Sequence, residues 1–120
     1  MCAINGFTYK DPSLLKKMMN ICQNRGPDWR EEYYDPEISL GHNRLSILDT
    51  SKKGHQPMYS QCKRYLISFN GEIYNFIKLR DELISKGYKF NSNSDTEVLL
   101  NGFIEFKQKI LKKLMVFLLL

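Results

Sequence analysis

Three helix-start signals set between short strand-like stretches restrict this chain more than any other feature of its sequence. At the first, Asp11 offers a side-chain cap and Pro12 takes the opening helical position, where a missing N–H does no harm. Leu14, Leu15, Met18, Met19 and Cys22 then recur at helical spacing, which predicts an amphipathic helix over residues 12–23, broken by Arg25-Gly26-Pro27-Asp28. At the second, Asn75 opens a helix expected to reach Lys86, with Gly87 as its stop. At the third, Ser94-Asp95-Thr96-Glu97 fits a capping box, with Ser94 as cap and Glu97 reaching back, ahead of the stripe Val98, Leu99, Phe103 and Ile104. Residues 2–7, 38–48, 65–69 and 88–90 read as strands or strand-like material, and Asn70-Gly71 is a strong turn signal. Mixed helices and strands predict an α+β or layered sandwich domain. With 120 residues there is room for one domain.

The net charge of +5 is unevenly placed. Lys107, Lys109, Lys112 and Lys113 fall in a C-terminal stretch without acids, and the remaining 14 basic residues face 13 acidic ones. Those 14 are scattered, which argues against a nucleic-acid partner. The apolar run at residues 114–120 is too short to span a bilayer and is apolar on all sides, unlike the single stripe of a surface anchor. No membrane partner is expected. Cys2, Cys22 and Cys62 form neither a CxxC pair nor a zinc spacing, and the N-terminus has no secretory pattern. A reducing cytoplasm with free thiols is the expected setting.

Cysteine at position 2 carries the chemistry. Its small side chain permits removal of Met1, which would leave a thiol and a free α-amino group on one residue. An α-amino group titrates at roughly 7.7–8.0 and can act as a base near neutral pH. By itself Cys2 also reads as a buried strand residue, and Asn70-Gly71 as a plain hairpin turn.

Further blocks occur in one order: Arg25-Gly26-Pro27-Asp28, Gly41-His42-Asn43-Arg44-Leu45-Ser46-Ile47, Gly54-His55-Gln56-Pro57-Met58, Phe69-Asn70-Gly71-Glu72-Ile73-Tyr74-Asn75 and Ser94-Asp95-Thr96-Glu97. With Met1-Cys2 they resemble the N-terminal class II glutamine amidotransferase domain of glutamine-hydrolysing asparagine synthases, over residues 1–114. The resemblance implies an N-terminal-nucleophile (Ntn) hydrolase fold, an αββα sandwich, incomplete at its C-terminus. It implies that Cys2 attacks the glutamine side-chain amide, giving a thioester and ammonia, and that Asn70 and Gly71 form the oxyanion hole. Arg44 matches the group that holds the substrate α-carboxylate, as a planar guanidinium donating two parallel hydrogen bonds can. Asp95 matches the group that receives the α-ammonium, although charge at a helix start would explain it equally. Leu45, Ile47 and Glu72 are supporting substrate-binding candidates. His42 and His55 are read as loop-organising residues, and two separated histidines argue against a metal site.

Glutamine is thus the expected ligand, and no cofactor is expected on this chain. ATP and Mg belong to a synthetase domain that would amidate aspartate and of which these residues contain nothing; a separately encoded remainder is the candidate partner. A non-catalytic glutamine-binding or complementing module, and an amidotransferase for another acceptor, stay open. Two departures stand out. Ala3 replaces the glycine usual after the nucleophile, which matters if that position needs φ > 0. Residues 115–120 depart from the family altogether. Deleting one A from TTA-AAT-GGT-GTT-TTT-GCT-TTT, one spelling of Leu-Asn-Gly-Val-Phe-Ala-Phe, yields Leu-Met-Val-Phe-Leu-Leu and the start of another Leu. A frameshifted tail is the expectation, with a truncated, poorly soluble fragment of little turnover as its consequence.

Overall fold

The computed structural model describes residues 2–115. Strand β1 (Ala3–Phe7) leads into helix α1 (Pro12–Ile21), a 3-10 turn at Gln23–Arg25, and strands β2 (Trp29–Tyr34) and β3 (Ser39–Arg44). A short antiparallel pair follows, β4 (Met58–Tyr59) with β5 (Leu66–Ile67), then helices α2 (Phe76–Ser85) and α3 (Asp95–Phe106) and a 3-10 segment at Lys107–Lys112. The result is a small α+β domain with two antiparallel sheets and three α-helices among the described residues.

The larger sheet has the order β1-β3-β2, with Ala3 opposite Asn43 and Trp29 opposite Arg44. Its central strand is buried at five of six positions because both faces are covered. On one face lies α1. Asp11 accepts the Leu14 N–H at 2.9 Å as predicted, and Leu15 and Met19 are fully buried. Gly41 lies beneath them: a Cβ there would meet the Met19 sulfur and lie 3.2 Å from Leu15 Cδ1. Asn43 Nδ2 donates to the Met19 carbonyl at 3.0 Å, so α1 is tied to β3 by a buried polar contact as well. On the opposite face His42 Nδ1 meets Ser68 Oγ at 2.7 Å, just beyond β5, and joins the two sheets.

The main apolar cluster lies between α2 and α3. Ile73, Leu79, Leu83 and Val98 are buried there, with Phe69, Phe76 and Phe106 packed around them. Each such side chain removed from water contributes about 1.5–3 kcal/mol. Gly102 lets Ile110 fold back onto α3, where it is fully buried.

Several local expectations need correction. Strand β2 was not foreseen: Trp-Arg-Glu-Glu-Tyr-Tyr has β-prone aromatics, but as a sheet edge it is exposed over its first half and shows no inward alternation. The strand expected over 38–48 stops at Arg44, and 88–90 forms none. Asn70-Gly71 makes no hairpin, because the chain after β5 continues into α2. Asn75 caps α2 by position alone, its side chain bonding Lys113 O and Met115 N instead. The capping box is half-formed. Ser94 Oγ accepts the Glu97 N–H, but the Glu97 carboxylate accepts from the Asn91 and Ser92 N–H groups and the Ser92 hydroxyl. His42 belongs to the central strand and not to a loop. Of the tail, residues 116–120 lie outside those described, and Lys113 pairs with Glu82 at 2.9 Å.

Candidate active site

Antiparallel pairing of β1 with β3 brings the start of one strand to the end of the other. Cys2, just before β1, therefore sits beside Leu45, just after β3. The Leu45 N–H donates to the Cys2 sulfur at 3.4 Å, and the Leu45 carbonyl lies 3.6 Å from it. A cavity of about 440 Å³ opens at this end of the sheet. Its lining includes every site residue expected from the sequence: Cys2, Arg44, Leu45, Ile47, Asn70, Gly71, Glu72 and Asp95. Four chain segments supply them, from the β1 start, the β3 end, the loop after β5 and the first turn of α3.

Arg44 is 5% exposed. Its guanidinium donates through Nη1 to the Ser51 carbonyl at 2.9 Å and through Nη2 to the Asp49 carbonyl. Five donors are available on a guanidinium, so the remainder can serve a ligand. Asp95 is equally buried and accepts the Ile73 N–H at 3.0 Å. Burial pushes its carboxyl above the usual range, with neighbouring Glu72 adding to the shift and backbone N–H groups opposing it. Asn70, Gly71 and Glu72 are exposed on their loop, and Ile47 is 72% exposed at the rim.

Two lining residues went unrecognised. Gln56 bridges the site: its Oε1 accepts the Phe69 N–H at 2.6 Å and its Nε2 donates to Thr96 Oγ1 at 3.2 Å. Asp49, a residue 9% exposed, has a carboxylate that ties two loops together. Gln56 carried a sequence signal, as a polar residue inside one of the ordered blocks, and Asp49 lies just beyond another, but nothing local shows that they are buried. His42 is fully buried, with a pKa lowered to about 4 by burial and then by the Arg44 charge. His55 stacks on Trp29 with ring centroids 4.1 Å apart. Among the described residues no group of three His, Cys, Asp or Glu side chains is arranged to hold a metal ion. No described helix is long and apolar enough to cross a membrane.

Residues 1–118 match the glutamine amidotransferase domain family. The chain belongs to that family. This amidotransferase domain is 42% identical to asparagine synthetase [glutamine-hydrolyzing] 1 of Bacillus subtilis, an alignment covering 95% of the chain and 19% of the relative. It is also 42% identical to asparagine synthetase B of Escherichia coli, over 83% of the chain and 19% of that protein, and 38% identical to asparagine synthetase 1 of Arabidopsis thaliana over 70% and 14%. The chain thus spans about a fifth of the length of the two bacterial relatives. Ala3 of the amidotransferase domain is buried in β1 opposite Asn43 and is not among the positive-φ residues, so its backbone does not require glycine.

Proposed function

We propose that this domain hydrolyses the side-chain amide of glutamine and supplies the ammonia to an asparagine synthase. The observation that carries the reading is the convergence of Cys2, Asn70, Gly71, Arg44 and Asp95 on one cavity from four separate segments. Arg44 takes the substrate α-carboxylate and Asp95 the α-ammonium, while the side chain extends toward Cys2. Leu45, Ile47 and Glu72 frame the substrate.

After Met1 is removed, the Cys2 α-amino group accepts the thiol proton and the sulfur attacks the amide carbon. A new S–C bond forms, and the oxygen takes the negative charge under the Asn70 side-chain amide and the Gly71 N–H. Collapse of that intermediate breaks the C–N bond, and the α-ammonium returns its proton to the departing ammonia. Water then cleaves the thioester, giving glutamate and the free thiol. An N-terminal amine activating its own nucleophile and a two-donor oxyanion site are together sufficient for this chemistry, which requires no cofactor on this chain. A free Cys2 thiol is best kept in a reducing cytoplasm.

The layering supports an Ntn-type sandwich, since α1 covers one face of the three-stranded sheet while the second sheet and the α2–α3 pair lie toward the other. Aspartate as acceptor, and ATP with Mg to activate it, are what the family resemblance implies for a synthetase domain, and no residue here is assigned to them. The test is release of glutamate and ammonia from glutamine by the 120-residue chain with Met1 removed, with turnover expected to be low for these residues alone. Turnover lost in Cys2→Ser supports the reading. Binding of glutamine without any thioester trapped at Cys2 would leave a binding module, and no binding would remove the assignment.

A further inference from the structure

Asp49 connects the two groups assigned above to the substrate's α-carboxylate and α-ammonium. Both Arg44 terminal nitrogens donate to carbonyls of one short turn, those of Asp49 and Ser51. The Asp49 carboxylate holds that turn in place: Oδ1 accepts the Ser51 N–H at 2.9 Å and the Ser51 hydroxyl at 2.6 Å. Its other oxygen, Oδ2, accepts the Asn93 N–H at 2.8 Å, two residues before Asp95. One buried carboxylate therefore spans from the turn that grips Arg44 to the loop that presents Asp95. Its pKa is held below the usual carboxylate range, chiefly by the Ser51 hydroxyl bond, so it stays an acceptor to all three donors.

We propose that Asp49 is a positioning residue that sets the spacing between Arg44 and Asp95, and so selects a free α-amino acid head group. The proposal rests on the glutaminase reading of the cavity. Carboxylate bonds suit the task because they are stronger than neutral ones, and a small misplacement of paired anchors weakens recognition steeply. In Asp49→Asn one acceptor oxygen becomes an NH2 group facing a donor, which breaks one side of the link while nearly preserving shape.

The test measures the affinity of the 120-residue chain for glutamine, for glutamine methyl ester and for glutaramic acid, which lacks the α-amino group. Asp49→Asn is expected to weaken glutamine binding about tenfold or more, and to change binding of the two analogues far less, because each has already lost one anchor. Ser51→Ala, which removes one of the three bonds and keeps the charge, should shift the same ratio in the same direction by about half as much on a logarithmic scale. A purely structural role would lower the melting temperature and weaken all three ligands in proportion; that result, or unchanged glutamine affinity in both variants, overturns the proposal. If Asp49→Asn does not fold, the Ser51→Ala ratio decides alone. If the unaltered chain binds none of the three, the glutaminase reading fails and this inference with it.

Discussion

The Cys2 sulfur lies between the N–H and the carbonyl of Leu45, at 3.4 and 3.6 Å. The thiol is thereby held at the mouth of a cavity that also presents Asn70, Gly71, Arg44 and Asp95. Cys22 and Cys62 line no part of that cavity, and Cys62 is exposed. Saturating glutamine should therefore slow alkylation of Cys2 and leave Cys62 unaffected. Mass spectrometry of iodoacetamide-treated protein checks this, and equal protection of both thiols would contradict the site. Cys2→Ser should reduce ammonia release at least about 10³-fold, since a hydroxyl is a far weaker nucleophile at neutral pH.

Asn70 is exposed and makes no side-chain hydrogen bond among the described residues. Asn70→Ala should lower kcat about 10²–10³-fold with little change in KM, the signature of a donor used mainly in the transition state. Its melting temperature should stay close to that of the unaltered chain. A variant that raises KM alone would assign Asn70 to ground-state binding.

His42 makes stability depend on pH. Its folded pKa is lowered from 6.5 to about 4, with burial the main cause and the Arg44 charge second. The unfolded chain binds this proton more readily, so the contribution is present in full above about pH 6.5 and is lost as the pH falls from there to about 4. The loss amounts to about 3 kcal/mol at most. Chemical denaturation at pH 7.5 and pH 4.5 should show it, and His42→Gln should flatten that part of the profile. An unchanged profile in the variant would rule His42 out as the cause.

Gly41 leaves room for α1. Gly41→Ala should destabilise the domain by about 1–3 kcal/mol, because the new methyl group meets the Met19 side chain and Leu15. Combined with Met19→Ala, it should cost less than the sum of the two single changes, since the shortened side chain vacates that space. Strict additivity in urea denaturation would disprove the contact.

The parts of the fold that could be read directly are those governed by neighbours in sequence. Asp11 with Pro12, and Ser94 with the Glu97 N–H, begin helices where expected because a cap acts within one turn. Gly87 stops α2 with φ of +92°, a conformation that disfavours side chains. Edge strand β2 escaped notice because its pattern records exposure and not pairing. Glu97 was assigned to its own cap, yet three donors at Asn91 and Ser92 offered a better-satisfied site for a buried carboxylate.

The sequence by itself determined the helix starts, the residue types suited to glutaminase chemistry, and a family resemblance borne by ordered blocks. Tertiary structure alone decided that Cys2, Arg44, Asn70 and Asp95 share a cavity, and that Asp49 and Gln56 stand behind them. The physical reason is range. Caps and stops act over three or four residues, whereas the Asn93 bond to Asp49 spans 44 positions and the Thr96 bond to Gln56 spans 40. Such contacts exist only once antiparallel pairing and helix packing have brought the segments together, so no local pattern records them.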